Sequence, residues 1–287
     1  MMETGKKKRR SIWWSLLLVF IYLWMQVMTA LAFALFAGVR YALKLNKGDS
    51  DLVFGIDPIP TELSAEFILL ILFVSAVLSL ALCFLVYKLR KIPIADHLKW
   101  RIPPARLIFS AIPTGLSIEF VSIFLFSITA IFFKKSAESY ESMVQGLVES
   151  PFAFIVIGII APIVEDLIFR GFILNELRKD YSLKTALIIQ AVLFGVMHLN
   201  VAQGLYAVLA GLVLGLIAVE AKSVIPAIIG HIVMNSSALL LSNVQEDTLA
   251  TLFLPIVMMS VFFMFFAVRR AVRGIKASAV ENAETAE

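Results

Sequence analysis

The sequence predicts an all-α fold, a polytopic transmembrane helical bundle of about eight spans, and three observations carry that prediction. Of 287 residues, 60% are hydrophobic and the mean hydropathy is +0.92, whereas a soluble domain is about 45–50% apolar. Segments of about 18 or more apolar residues recur along the chain, each able to cross a hydrocarbon layer roughly 30 Å thick as a helix. Between these segments the charged connections alternate in sign, as loops on opposite sides of a membrane do.

The expected spans are residues 12–37, 67–87, 107–133, 152–177, 185–199, 204–219, 224–241 and 249–268. The first follows the basic cluster Lys6–Arg10 and is much longer than the roughly 7–15 apolar residues of a secretory signal, so it reads as an uncleaved helix. The connection after the second span carries Lys88, Arg90, Lys91, Lys99, Arg101 and Arg106, and the one after the fourth carries Arg178, Lys179 and Lys184. Asp49, Asp51, Asp57 and Glu62, then Glu138, Glu141 and Glu149, then Glu246 and Asp247 mark the opposite side. With eight spans all the basic clusters fall on one side, including the tail from Arg269 to Lys276, which makes both termini cytoplasmic in a multi-pass protein of the cell membrane.

The net charge of +4 follows from this arrangement and forms no nucleic-acid-reading stripe, so the partners expected are the lipid bilayer and a peptide or membrane-protein substrate, with no nucleic acid. Oligomeric state is not encoded in any feature of the chain. The lone cysteine, Cys83, sits in an apolar run as a small buried hydrophobe. His97, beside Asp96 in a basic connection, is expected at the surface; Lys134–Ser150 is polar enough for an exposed loop or interfacial helix; and Ser278–Glu287 is expected to be disordered. Function divides the chain into amino-terminal spans and connections (1–150), a core of four spans (151–242), and a last span with its tail (243–287).

Ionised groups at the bilayer centre cost about 2.5–3.5 kcal/mol each on insertion scales, so those present need a reason. The fourth span carries Glu165, Asp166 and Arg170; the fifth ends in Phe194-Gly-Val-Met-His198; the seventh holds His231-Ile-Val-Met-Asn235. Asp166 and Arg170 are four apart and can pair on one helix face, leaving Glu165, about 100° away, for another partner. Counted from the nearest basic residue at 1.5 Å per residue, Glu165, His198 and Asn235 lie about 20 Å deep and His231 about 14 Å, so packed helices can bring all four into one pocket. Gly211 and Gly215 form a small-xxx-small face for close helix approach. Pro162 leaves a backbone carbonyl without its partner and can open space beside Glu165. Glu119, in the third span, is expected to be a hydrogen-bonded structural carboxyl.

A carboxylate and an imidazole around a water can serve as a general base for attack on a carbonyl, and an imidazole with a carboxamide can stabilise the oxyanion. Alternatively Glu165, His198 and His231 can hold a zinc ion that acidifies its water, a metalloprotease arrangement. Both routes end in hydrolysis, one metal-independent and one zinc-assisted. No His-Glu-x-x-His motif, membrane Gly-x-Gly-Asp or Gly-x-Ser-x-Gly elbow is present, and Ser236 and Ser237 read as helix-packing residues.

Glu165-Asp166-x-x-x-Arg170, Phe194-x-x-x-His198 and His231-x-x-x-Asn235 resemble, in order and spacing, the three motifs of the CAAX protease and bacteriocin-processing (CPBP, or Abi) intramembrane proteases, which include type II CAAX prenyl endopeptidases. The resemblance covers about residues 152–241. It implies an intramembrane endopeptidase with Glu165 and His198 as water activators, His231 and Asn235 as oxyanion stabilisers or further ligands, and a supporting role for Arg170. The family's first motif usually opens with two glutamates; here the second is Asp166, a shorter carboxylate that still reaches Arg170. Two rivals are a non-catalytic membrane scaffold, such as a bacteriocin-immunity factor, and a proton-coupled transporter using Glu119, Glu165 and the histidines. No inverted repeat of broken helices supports the transporter. The charge pattern predicts that a reporter fused after Lys276 is cytoplasmic; a reporter accessible only from outside intact cells contradicts the eight-span topology.

Overall fold

A computed structural model describes residues 3–46, 64–242, 244 and 246–284. The acidic connection expected at 49–62 lies outside them. The described residues are helical throughout, with no strand. Ten helices follow in order: α1 Glu3–Asn46, α2 Ala65–Leu89, the short α3 Ile94–Leu98, α4 Ala105–Phe132, α5 Lys134–Val148, α6 over 154–177, α7 Leu183–Val196, α8 Val201–Ala221, α9 Ile225–Leu241 and α10 Glu246–Glu284. The protein is thus a multi-pass helical membrane bundle. Helices α1, α2, α4, α8 and α10 are each long and apolar enough to cross a membrane. The other three expected spans are α6, α7 and α9; the 14 residues of α7 reach only about 21 Å.

Helix α6 is the buried centre. From Val164 to Leu174 every residue is buried, and Ile168, Phe169, Phe172 and Ile173 anchor the largest hydrophobic cluster. A helix apolar on all sides is stable only when surrounded by protein or lipid. The outer helices instead turn large side chains toward lipid: Phe20, Trp24 and Leu35 on α1, Phe109 and Ile131 on α4, Phe262 and Phe265 on α10 are exposed.

Within α6 two π-helical stretches, Phe154–Ile160 and Leu167–Ile173, flank the α-helical Ala161–Asp166. Pro162 accounts for the first. The Ala161 amide donates back five residues to the Val156 carbonyl, and Pro162 has no amide to donate. The Ile157 carbonyl therefore lacks a helical donor, and the Asn235 side-chain amide from α9 supplies one at 3.1 Å. Ser236 Oγ approaches the neighbouring Gly158 carbonyl at 3.4 Å. The unmade backbone bond becomes a tie between α6 and α9. In the second stretch the Asn175 side chain donates to the carbonyls of Gly171 and His97, at 2.8 and 2.9 Å, tying α3 onto α6.

Glycines set the closest crossings. A Cβ on Gly211 would press on Ala191, so α8 lies against α7 along the expected small-residue face, and Gln190 donates to the Gly211 carbonyl at 2.7 Å. The tightest crossing joins α4 to α9, where a Cβ on Gly115 would land on the Gly230 carbonyl. Sequence analysis did not single out that pair.

Two expectations change. His97 is not a surface residue: its side chain is 7% exposed, its Nε2 faces the Phe172 carbonyl at 3.3 Å, and its ring packs on Tyr87 and Phe172. Burial pushes its pKa down to about 4, so it sits there as a neutral wedge between α2 and α6. The tail expected to be disordered is helical to Glu284, because α10 runs on through Ala277, Ala279, Glu281 and Ala283, strong helix formers. Of the two forms expected for Lys134–Ser150, the structure has a helix, Lys134–Val148, with Ala137 and Leu147 buried and its lysines exposed.

Gly115→Ala should destabilise the protein by about 1–3 kcal/mol through overpacking against Gly230, whereas Gly38→Ala, with nothing within 4 Å, should leave the melting temperature unchanged or raise it slightly. Thermal unfolding in detergent reads both; equal melting temperatures for the two variants contradict the crossing.

Candidate active site

A cavity of about 480 Å³ opens in the bundle, and Glu165, His198, His231 and Asn235 all line it. They arrive on three pieces of chain: Glu165 from α6, His198 from the turn after α7, His231 and Asn235 from one face of α9. His198 lies beyond the helix that was expected to carry it, since α7 ends at Val196. Irregular backbone at this depth is tolerated when protein satisfies it, and Asn200 does so: its Oδ1 caps α8 by accepting from the Gln203 amide at 3.0 Å. Ser136 of α5 closes the arrangement, donating to Asn200 Oδ1 at 2.9 Å and receiving Asn200 Nδ2 on its backbone carbonyl at 2.8 Å.

The histidine tautomers follow from their partners. His198 Nδ1 lies 2.8 Å from the Phe194 carbonyl, which can only accept, so Nδ1 carries the proton and Nε2 presents a lone pair. His231 Nδ1 lies 3.0 Å from Asp166 Oδ2, so it too is protonated, and its Nε2 lies 3.8 Å from Glu165 Oε2. The other Glu165 oxygen accepts from Tyr22 Oη of α1 at 3.2 Å.

Asp166 and Arg170 stand behind this layer. Both are buried, neither lines the cavity, and Arg170 Nη1 lies 2.9 Å from Asp166 Oδ1. The angle is off for a hydrogen bond, so the contact is a close ion pair between groups that share a face. The guanidinium lies 4.2 Å over the Phe194 ring. That ring also meets His198 and His231 nearly perpendicularly, at centroid distances of 5.0 and 5.7 Å. Phe194 is the spacer that three polar side chains share. The Asp166 carboxylate faces Arg170 with one oxygen and His231 with the other and does not line the cavity.

Sequence analysis missed Tyr22, and underweighted Glu119. Tyr22 and Gln26, four apart in α1, both line the cavity; two polar residues at helical spacing in an apolar span were the available signal. Glu119 is buried and lines the same cavity, with no hydrogen bond to it among the described residues, so it is not the hydrogen-bonded structural carboxyl that was expected. Tyr140 and Tyr206 meet beside it, Oη to Oη at 2.9 Å.

Among the described residues no three His, Cys, Asp or Glu side chains gather in a geometry able to hold a metal ion. Glu165, His198 and His231 therefore do not form a zinc ligand set in this arrangement.

Fold and site together define a polytopic membrane protein built around a partly open, mostly apolar cavity in which carboxylate and imidazole meet. Residues 147–237, about a third of the chain, match the protein-family model described as type II CAAX prenyl endopeptidase Rce1-like, and over this stretch the chain is similar to that family. No curated protein and no solved structure matches the chain. The matched stretch spans α6 to most of α9, while Tyr22, Glu119 and Tyr140, which line the cavity, lie outside it.

Replacing Asp166 by Asn should leave a buried guanidinium unpaired and cost about 3–5 kcal/mol. Adding Arg170→Gln should recover part of that stability without restoring function, because His231 still lacks its carboxylate. Thermal unfolding and cleavage assays on single and double variants read the two effects separately; a double variant that regains activity contradicts the orienting role.

Proposed function

We propose that the protein is an intramembrane endopeptidase that hydrolyses peptide bonds of membrane-associated proteins or peptides by metal-independent water activation. The observation that carries this reading is the convergence of Glu165, His198, His231 and Asn235 on one cavity. A water between Glu165 and His198 gives its proton to the Glu165 carboxylate while His198 Nε2 accepts its second hydrogen and orients it. The oxygen attacks the scissile carbonyl carbon. As the tetrahedral oxyanion forms, His231 Nε2 and the second hydrogen of the Asn235 amide donate to it. With Nδ1 protonated, His231 donates from Nε2 only as an imidazolium, whose charge is met by the Asp166 carboxylate at Nδ1 and by the oxyanion itself at Nε2, Glu165 having become neutral on taking the water's proton. The proton on Glu165 then passes to the leaving nitrogen, the C–N bond breaks, and a carboxylic acid and an amine result.

Substrate enters a space whose other walls are apolar, among them Ile68, Leu72, Met143 and Ile157. Such walls favour an extended peptide with apolar side chains or a lipid-modified tail over a folded polar segment. The family's description, a prenyl endopeptidase, is consistent with the second. Tyr22, by donating to Glu165, fixes which carboxylate oxygen faces the water. The setting for this activity is the cell membrane, with both termini in the cytoplasm.

Glu165→Gln and His198→Ala should each lower cleavage at least about a thousandfold, with wild-type levels in the membrane and an unchanged oligomer peak in detergent. Comparison of membrane peptidomes from wild type and Glu165→Gln identifies the substrate. Full activity in either variant overturns the mechanism, and a cellular phenotype indifferent to Glu165→Gln favours a scaffold. One zinc per chain in the active protein, lost in His231→Ala, replaces the metal-independent route with the metal-assisted one.

A further inference from the structure

A second recess lies on the basic rim of the bundle and shares no residue with the cavity above. It is a groove of about 560 Å³ between the first turn of α4, the end of α8 and the outer part of α10. Arg106, Arg269, Arg270 and Arg273 line it, with Leu107 and Phe266 as apolar walls. Arg270 is satisfied: it grips Glu220 of α8 through Nε and Nη2, both at 3.0 Å. Gly274 permits that grip, since a Cβ there would press on the Glu220 side chain at 3.3 Å.

The other three arginines have no carboxylate partner among the described residues, and all three are exposed. The groove therefore concentrates three uncompensated positive charges around one space. Loop charges that merely orient a protein in the membrane are satisfied by either lysine or arginine. The rest of this rim is mixed, with Lys88, Lys91, Lys99, Lys179, Lys184 and Lys222 among its arginines, yet no lysine lines the groove. Guanidinium is the cation that binds phosphate bidentately in a fixed plane. The depth is also specific. On α10 the basic residues begin at Arg269, three positions after the last of the exposed Phe262, Phe265 and Phe266, so the groove sits where headgroups meet acyl chains.

We propose that this groove is a binding site for the phosphate headgroup of an anionic phospholipid, with Arg106, Arg269 and Arg273 on the phosphate and an acyl chain lying along Phe266 and Leu107. Basic pockets between transmembrane helices at the membrane edge take such headgroups, and the interaction is strengthened by the low dielectric beside it. A bound lipid there bridges α4 and α10, helices that otherwise meet mainly through apolar surface. The site is independent of the peptidase reading, since no residue is common to both.

The test uses the full-length protein in detergent and in nanodiscs of phosphatidylcholine with or without phosphatidylglycerol. Phosphatidylglycerol should persist as an adduct in native mass spectrometry and raise the melting temperature, whereas phosphatidylcholine should do neither. Arg106→Gln/Arg273→Gln should weaken phosphatidylglycerol binding about tenfold, with an unchanged melting temperature in detergent alone. Lys88→Gln/Lys184→Gln, which removes the same charge elsewhere on the rim, should bind as wild type. Equal loss in both double variants, or equal retention of the two lipids, overturns the proposal. So does inorganic phosphate that displaces the lipid at millimolar concentration and reproduces the thermal shift, which makes the groove a free-anion site.

Discussion

A carboxylate with no exposed surface holds the centre of this protein together. Asp166 faces Arg170 with one oxygen and the Nδ1 proton of His231 with the other. Each of these ions alone is costly in a membrane bundle. Together they leave a single arrangement in which the charges are met, and that arrangement dictates the register of α6 against α9. Phe194 completes it from α7, its face under the guanidinium and its edge toward both imidazoles. The position of the cavity-lining imidazole of His231 thus follows from how buried charge is neutralised.

The backbone makes the same point in a different chemistry. Pro162 deprives the Ile157 carbonyl of a donor, α6 widens into a π-helical stretch, and Asn235 fills the vacancy from the neighbouring helix. A local defect in one helix becomes a specific address for another. Asn235 thereby serves α6 with one amide hydrogen and faces the cavity with the other, and π-helical stretches of this kind recur at functional sites.

How much of this could be read beforehand depended on whether the determinant was local. The apolar segments followed from hydropathy, since each must satisfy its own backbone in lipid. Glu165, His198, His231 and Asn235 stood out because polar residues at that depth are expensive, and counting from the basic edges brought them to a common level. What required the fold was every relation between distant segments. Tyr22 lies 143 residues from Glu165, and its spacing with Gln26 marks a polar face on the first helix without saying which partner that face meets. Gly115 and Gly230 are each unremarkable until two helices cross there. His97 was misjudged because charged neighbours in sequence were taken as a sign of water, while in space it is wedged against Tyr87 and Phe172.

The clasp between Ser136 and Asn200 joins an amphipathic helix on the rim to the turn that bears His198. The same amphipathic helix contributes Tyr140, Met143 and Leu147 to the cavity wall. Wall and imidazole are consequently parts of one linkage, like a door whose hinge pin also carries the latch. Displacing α5 to widen the chamber therefore also moves the turn that carries His198, so the width of the chamber and the placing of that imidazole are set together.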